Sequence, residues 1–171
     1  MISWKNILLP VVVVLMAACH YDKPLGAVTG TDSAENLVGR WKMAASEADS
    51  RDEDQYLVVH RTADKKLVVD YQVSATEHWY FTGYPCLSGH PEILELQFLG
   101  DSTGKPNTEH RFMIVKAKVD GDSLQWAAMD PDKLKPSDDV DAFRKAVLKE
   151  VEGNGDFFAK TQKGTREKTE K

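Results

Sequence analysis

Cys86 and the histidines His60, His78, His90 and His110 are the side chains in the body of this chain best suited to metal ligation or nucleophilic chemistry. Cys86-x-x-x-His90 falls in a stretch rich in glycine and proline, Gly83 to Pro91. A zinc site needs a second ligand pair at comparable spacing, and the next histidine, His110, is isolated. A reactive thiol also needs electropositive surroundings, so the pattern predicts a partly buried cysteine in a structured loop. His60, beside Arg61, and His78, beside Trp79, are expected to face solvent or accept one hydrogen bond.

Other chemistries fare no better. Ser88-Gly89-His90 is a turn triplet, and no Gly-x-Ser-x-Gly elbow is present. Glycoside hydrolysis needs two inward carboxylates; Glu92, Glu95 and Glu109 exist, but strand alternation predicts that Glu95 faces water. The acidic run Glu47 to Asp54 offers hard oxygens without the spacing or glycine of a calcium loop. Nothing resembles a phosphate cradle. The residues therefore predict no catalytic group, no metal and no cofactor. Trp79, Phe81 and Tyr84 form the one aromatic run of interest. It is expected mainly to pack in the core, with a candidate binding patch at a sheet mouth as the alternative.

The elements that must position these residues read mostly as strands. Leu94, Leu96 and Phe98 alternate with polar residues, as do Met113, Val115, Ala117 and Val119, and then Leu124, Trp126 and Ala128. That period describes antiparallel strands wet on one side. Leu37–Met43, Gln55–Arg61, Lys66–Ser74 and His78–Tyr84 are the earlier candidates. Asp120-Gly121 predicts a two-residue hairpin with positive φ at both positions. Seven close-spaced strands suggest an up-and-down meander curled into a barrel or half-barrel, which removes exposed edges.

From Ser137 the period becomes helical. Val140, Phe143, Val147, Leu148 and Val151 share a stripe, and Ser137 is the expected cap. Gly153 or Gly155 should end the helix, whose stripe is expected to pack outside the sheet or at one mouth. The fold class is thus mainly β with one C-terminal α-helix. Residues 36–160 read as a single domain without internal repeats. Residues 161–171 read as a charged tail that frays.

At the N-terminus, Lys5 precedes an apolar run, Ile7 to Ala18, which ends in Leu15-Met16-Ala17-Ala18-Cys19. Charge, apolar core and small residues in that order are the anatomy of a secretory signal. Twelve residues make only about 18 Å of helix, short of the ~30 Å core of a bilayer. The five-residue motif resembles the lipobox of bacterial lipoproteins, although an ordinary signal cleaved near Ala18 would share the anatomy. The resemblance implies that residues 1–18 are removed and that Cys19 carries a thioether-linked diacylglycerol and an amide-linked acyl chain. These chains together anchor stably where one would not. His20 stands where many inner-membrane lipoproteins carry aspartate, which implies outer-membrane sorting with the domain facing the periplasm.

Cleavage leaves 153 of the 171 residues, enough for one core. It removes one charge, Lys5, taking the net charge from −5 to −6. An acidic protein is a poor partner for nucleic acid or anionic headgroups. With Cys19 lipidated, Cys86 has no disulfide partner. Residues 19–35, rich in Gly, Pro, Ser, Thr and Asp, read as a flexible tether with a root-mean-square span of about 20–25 Å.

Gly39-x-Trp41 on the first strand, followed by a meander and a late helix, resembles the lipocalin and calycin arrangement, in which that tryptophan closes the narrow end of the barrel. The resemblance makes Gly39 and Trp41 structural. Asp70-Tyr71 follows Val69 rather than the family's threonine, and the predicted strands place no arginine late enough to cover Trp41. Small bacterial lipoproteins of unknown function are also similar, through Gly39-x-Trp41, Tyr56-Leu57-Val58-Val59, Gly121-Asp122-Ser123-Leu124 and Asp130-Pro131. Two functions follow as expectations. One is a non-enzymatic, membrane-anchored envelope lipoprotein that binds a partner protein or envelope component. The other is a carrier of a small apolar ligand such as an acyl chain. Replacing Cys19→Ala is expected to abolish lipid-dependent membrane association and to leave an uncleaved or differently cleaved precursor. Cell fractionation with intact-mass measurement checks this, and unchanged processing at the same bond would contradict it.

Overall fold

The computed structural model describes residues 21–27, 33–44, 54–104 and 111–167. Cys19, His110, Glu109 and most of the acidic run from Glu47 lie outside the described residues. A 3-10 turn, Ser33–Leu37, leads into eight antiparallel strands. These are β1 Gly39–Met43, β2 Gln55–Arg61, β3 Leu67–Gln72, β4 His78–Pro85, β5 Ile93–Asp101, β6 Phe112–Asp120, β7 Ser123–Ala128 and β8 Gln162–Arg166. One α-helix, α1 (Val140–Glu152), intervenes between β7 and β8. Each strand pairs with the next, and β8 pairs with β1, so the sheet is a closed up-and-down barrel.

The seven strands that periodicity predicts are all present, and the eighth comes from residues 162–166, inside the segment whose composition predicts a fraying tail. Gln162-Lys163-Gly164-Thr165-Arg166 carries no apolar side chain, so no hydrophobic period marks it. Its stability comes from ladders on both sides, Trp41↔Arg166 to Met43↔Gly164 and Ser123↔Thr165 to Trp126↔Gln162. Gly164 suits this position because a Cβ there would come within 2.9 Å of the Met43 sulfur.

Alternating side chains fill the barrel. Trp41, Leu57, Val59, Leu67, Val69, Phe81, Leu94, Leu96, Met113, Val115 and Leu124 are buried in one contiguous cluster. At one end Trp41 is fully buried, and its indole Nε1 donates to the Leu37 carbonyl at 2.9 Å. Arg166 covers it, with the guanidinium carbon 4.1 Å from the ring centroid. The same guanidinium donates to the Val38 and Asn36 carbonyls, both at 2.7 Å. A late-strand arginine therefore does cover Trp41; it lies on β8, the strand that periodicity missed. Gly39 makes the approach possible: its φ is 140°, and an added Cβ would meet Arg166 Nη1 at 2.7 Å.

The second layer lies outside the barrel. Tyr21, Leu25, Cys86, Leu87, Ile93, Phe112, Ile114, Met129, Phe143, Val147 and Phe157 form a separate buried cluster. Helix α1 contributes Phe143 and Val147, so its stripe covers the outer wall of β5 and β6. These two strands are consequently buried on both faces at their starts, Ile93–Leu96 and Phe112–Val115, rather than wet on one side. The cap of α1 is Asp139, whose side chain accepts from the Asp141 and Ala142 amides at 3.1 and 3.0 Å. Ser137, the expected cap, instead accepts from the Asp139 amide at 3.2 Å. In the β6–β7 hairpin the two linking residues are Gly121 and Asp122, and only Gly121 has positive φ; a single left-handed residue at the first position suffices for a II′-type turn.

Truncating Trp41→Ala is expected to cost about 3–5 kcal/mol, as for other large buried aromatics. Arg166→Ala should cost about 2 kcal/mol, from two charge-assisted hydrogen bonds and the ring contact. Because the two side chains touch, the double variant should lose less than the sum. Urea denaturation of the three variants checks this, and full additivity would mean that the stacked pair is not coupled.

Candidate functional site

The ends of the barrel differ. At the end away from the Arg166 cover, Gln55 opens β2, Tyr71 lies near the end of β3 and Trp79 near the start of β4. The Tyr71 hydroxyl donates to Gln55 Oε1 at 2.6 Å, and the Tyr71 and Trp79 rings meet edge to face at 5.9 Å. Phe98 on β5 packs against Phe81 at 5.4 Å. Tyr71, Trp79, Phe98 and Trp126 are half-buried against the interior cluster. Among the described residues this mouth is an aromatic rim that includes the polar Tyr71–Gln55 contact. Residues 45–53, between β1 and β2 in sequence, and 105–110, between β5 and β6, lie outside the described residues.

The predicted patch of Trp79, Phe81 and Tyr84 is only partly assembled. Trp79 and Phe81 share the inner face, Phe81 deep in the core and Trp79 at the rim. Tyr84 is on the opposite face, because positions three and five apart along a strand fall on opposite sides. It pairs in register with Glu95 across β4 and β5, on the outer wall. Gly39 and Trp41 sit together under Arg166, as structural residues.

That outer wall holds the most concentrated polar chemistry among the described residues. Glu95 is 1% exposed, where alternation alone predicts water. The face opposite Leu94 and Leu96 is roofed by residues 21–27 and α1, and this roof is what alternation cannot see. Glu95 Oε1 accepts from the Tyr21 hydroxyl and from the Leu25 amide at 2.6 Å, while Oε2 accepts from the Gly26 amide at 3.1 Å. Burial, and then Glu95, push the Tyr21 hydroxyl far above its usual range, and the Tyr84 hydroxyl upward as well. Arg144 on α1 donates to the Leu25 carbonyl and to Asp141. Two signals in the sequence pointed here: Ile114 among the lysines of β6, and the apolar Tyr21 and Leu25 inside a polar stretch.

Cys86 borders the same cluster, fully buried, with its thiol 3.7 Å from the Ile93 carbonyl oxygen. Burial first, and Glu95 second, raise the thiol well above its normal pKa, so it is held protonated and poorly nucleophilic. His90 turns away to Glu92, with 3.4 Å between Nδ1 and Oε1. His60 is exposed, and His78 lies 3.0 Å from Asp70 on the outer face of β3–β4. Among the described residues no group of three His, Cys, Asp or Glu gathers as a metal site. Comparison with protein-family models, curated proteins and solved structures finds no match for this chain.

The raised Tyr21 and Cys86 groups make stability sensitive to alkali. In the unfolded chain the thiol ionises near 9.0 and the phenol near 10.0, whereas both stay protonated when folded. Their contribution is complete below about pH 9 and falls as pH rises, by about 1.4 kcal/mol per pH unit for each group that only the unfolded state ionises. Replacing Tyr21→Phe should flatten the loss above pH 10. Denaturant midpoints from pH 7 to 11 check this, and an unchanged slope in the variant would place Tyr21 outside the buried network.

Proposed function

We propose that this chain is a lipid-anchored envelope lipoprotein, attached through Cys19, that engages a partner protein or envelope component without catalysing a reaction. Outer-membrane attachment facing the periplasm is part of this reading, through His20 after the cysteine. The observation that carries it is the joint character of the two ends of the chain's logic: a signal-like segment closing on Leu15–Cys19, and a domain whose interior is packed with its own side chains. Eight strands enclose a space that side chains can fill. Here Trp41, Phe81, Met113 and the leucines do so. The inward faces offer few convergent hydrogen-bonding groups, which a polar substrate would need to offset its desolvation. Trp41 beneath Arg166, with Gly39 beside them, also supports the likeness to lipocalin-type barrels.

A second reading rests on the aromatic rim. Tyr71, Trp79, Phe98 and Trp126 are half-buried at one mouth, where an acyl chain could lie against them. Titrating the delipidated domain with sugars, nucleotides and fatty acids separates the readings, because Trp79 and Trp126 report on that mouth by emission. No saturable micromolar binding of any polar metabolite is expected. Silence throughout favours partner binding, an acyl-chain signal that is lost in Trp79→Ala favours the carrier, and tight binding of a sugar or nucleotide would overturn both.

A further inference from the structure

Residues 21–27 do not behave as a tether. Tyr21 is 6% exposed and Leu25 2%. The Tyr21 backbone exchanges two hydrogen bonds with Phe112, at 3.0 and 2.9 Å, as an extra bridge on the edge of the covered wall. Its ring packs on Phe112 and edge-on against Phe143 of α1, with centroids 5.9 and 5.1 Å apart. Glu95 then gathers the Tyr21 hydroxyl and the Leu25 and Gly26 amides, and Arg144 holds the Leu25 carbonyl from the helix side. Lys23 reaches across to the Asp138 carbonyl at 3.3 Å. Peeling this segment away would expose the apolar cluster and strip Glu95 of three donors, so the fold itself opposes release.

We propose that residues 21–27 are a strap that seats the domain directly against the bilayer, with the edge formed by Asp22, Lys23 and Pro136–Asp138 facing lipid headgroups. This rests on the lipid-anchor reading of Cys19. Only His20 separates Cys19 from Tyr21, and two residue steps reach at most about 7 Å. The acyl chains must enter the bilayer, so the fastened Tyr21 backbone is held within that distance of the interface. The flexible span of about 20–25 Å expected for residues 19–35 is thereby replaced by a short, fixed connection. Beside it a cavity of about 240 Å³ is lined by Tyr21, Asp22, Lys23, Pro136, Ser137 and Asp138. Its mixed charges suit a zwitterionic headgroup layer rather than acyl chains or a strongly anionic surface. Glu95 is the positioning residue, acting through the strap.

The test uses the full lipidated protein in phosphatidylcholine vesicles that carry a headgroup quencher. Fluorophores are placed by Asp138→Cys at the proposed edge and by Asp64→Cys in the β2–β3 loop, Cys86 being buried and slow to label. The Asp138→Cys label should be quenched several-fold more than the Asp64→Cys label. Inserting about twelve Gly/Ser residues between His20 and Tyr21 lengthens the reach by about 20 Å and leaves every folded contact in place; it should erase the difference. Hydrogen exchange should show the Leu25 and Gly26 amides protected to nearly the extent of β5, with protection falling about tenfold or more in Glu95→Ala. If intact mass shows lipid on Cys19 but the two labels are quenched equally, or those amides exchange freely, the seated strap is wrong and the anchor stands. If Cys19 carries no lipid, both fail.

Discussion

Closure of the sheet by β8 is the constraint from which the rest of the structure follows. Without Gln162–Arg166, β1 and β7 would each present an unpaired edge, and an open edge invites pairing with other chains. Closure also brings Arg166 over Trp41 and under the carbonyls of Asn36 and Val38. One side chain thereby joins the last strand, the first strand and the turn that enters the barrel. The interior is sealed at that end because a planar cation can stack on the indole while its edges donate to backbone. Gly39 leaves the space for it.

The end of β7 and the start of β8 lie side by side at Trp126↔Gln162, yet the chain between them makes a long excursion that carries α1. The helix cannot enter a filled barrel, so its apolar stripe covers the outer wall, where Ile93, Phe112 and Ile114 wait. Roofing the wall creates a second interior, and Glu95 is caught inside it. A buried carboxyl is tolerable only when its oxygens are satisfied. The donors come from Tyr21, Leu25 and Gly26, and this local requirement is what fixes the N-terminal strap. The two clusters thus have different tasks: the inner one defines the barrel, and the outer one fastens the chain's entry to it.

The division bears on function. The interior cluster leaves its half-buried aromatics at one mouth, while the outer cluster fastens Tyr21 and Leu25 to the barrel wall. In the proposed lipoprotein these become separate devices, a face for binding and a fixed mount. A rigid mount limits the directions in which the mouth can point, which a flexible tether would not.

Periodicity alone determined much of this protein. Alternation in Leu94–Phe98, Met113–Val119 and Leu124–Ala128 specified strands and their inward residues, because a strand's side chains change face at every step. The stripe from Val140 to Val151 specified a helix for the analogous reason, and Gly39-x-Trp41 pointed to a plugged end. Only tertiary structure decided the remainder. Strand β8 has no apolar period, since its stability lies in backbone bonds to two partners distant in sequence. Glu95 was assigned to water because alternation identifies a face without revealing what covers it. Tyr21 and Leu25 looked like linker residues because their partners, Phe112, Glu95 and Phe143, lie about 70 or more positions away. Local pattern carries the propensity of each segment, whereas burial on the outer wall depends on which distant segment arrives there.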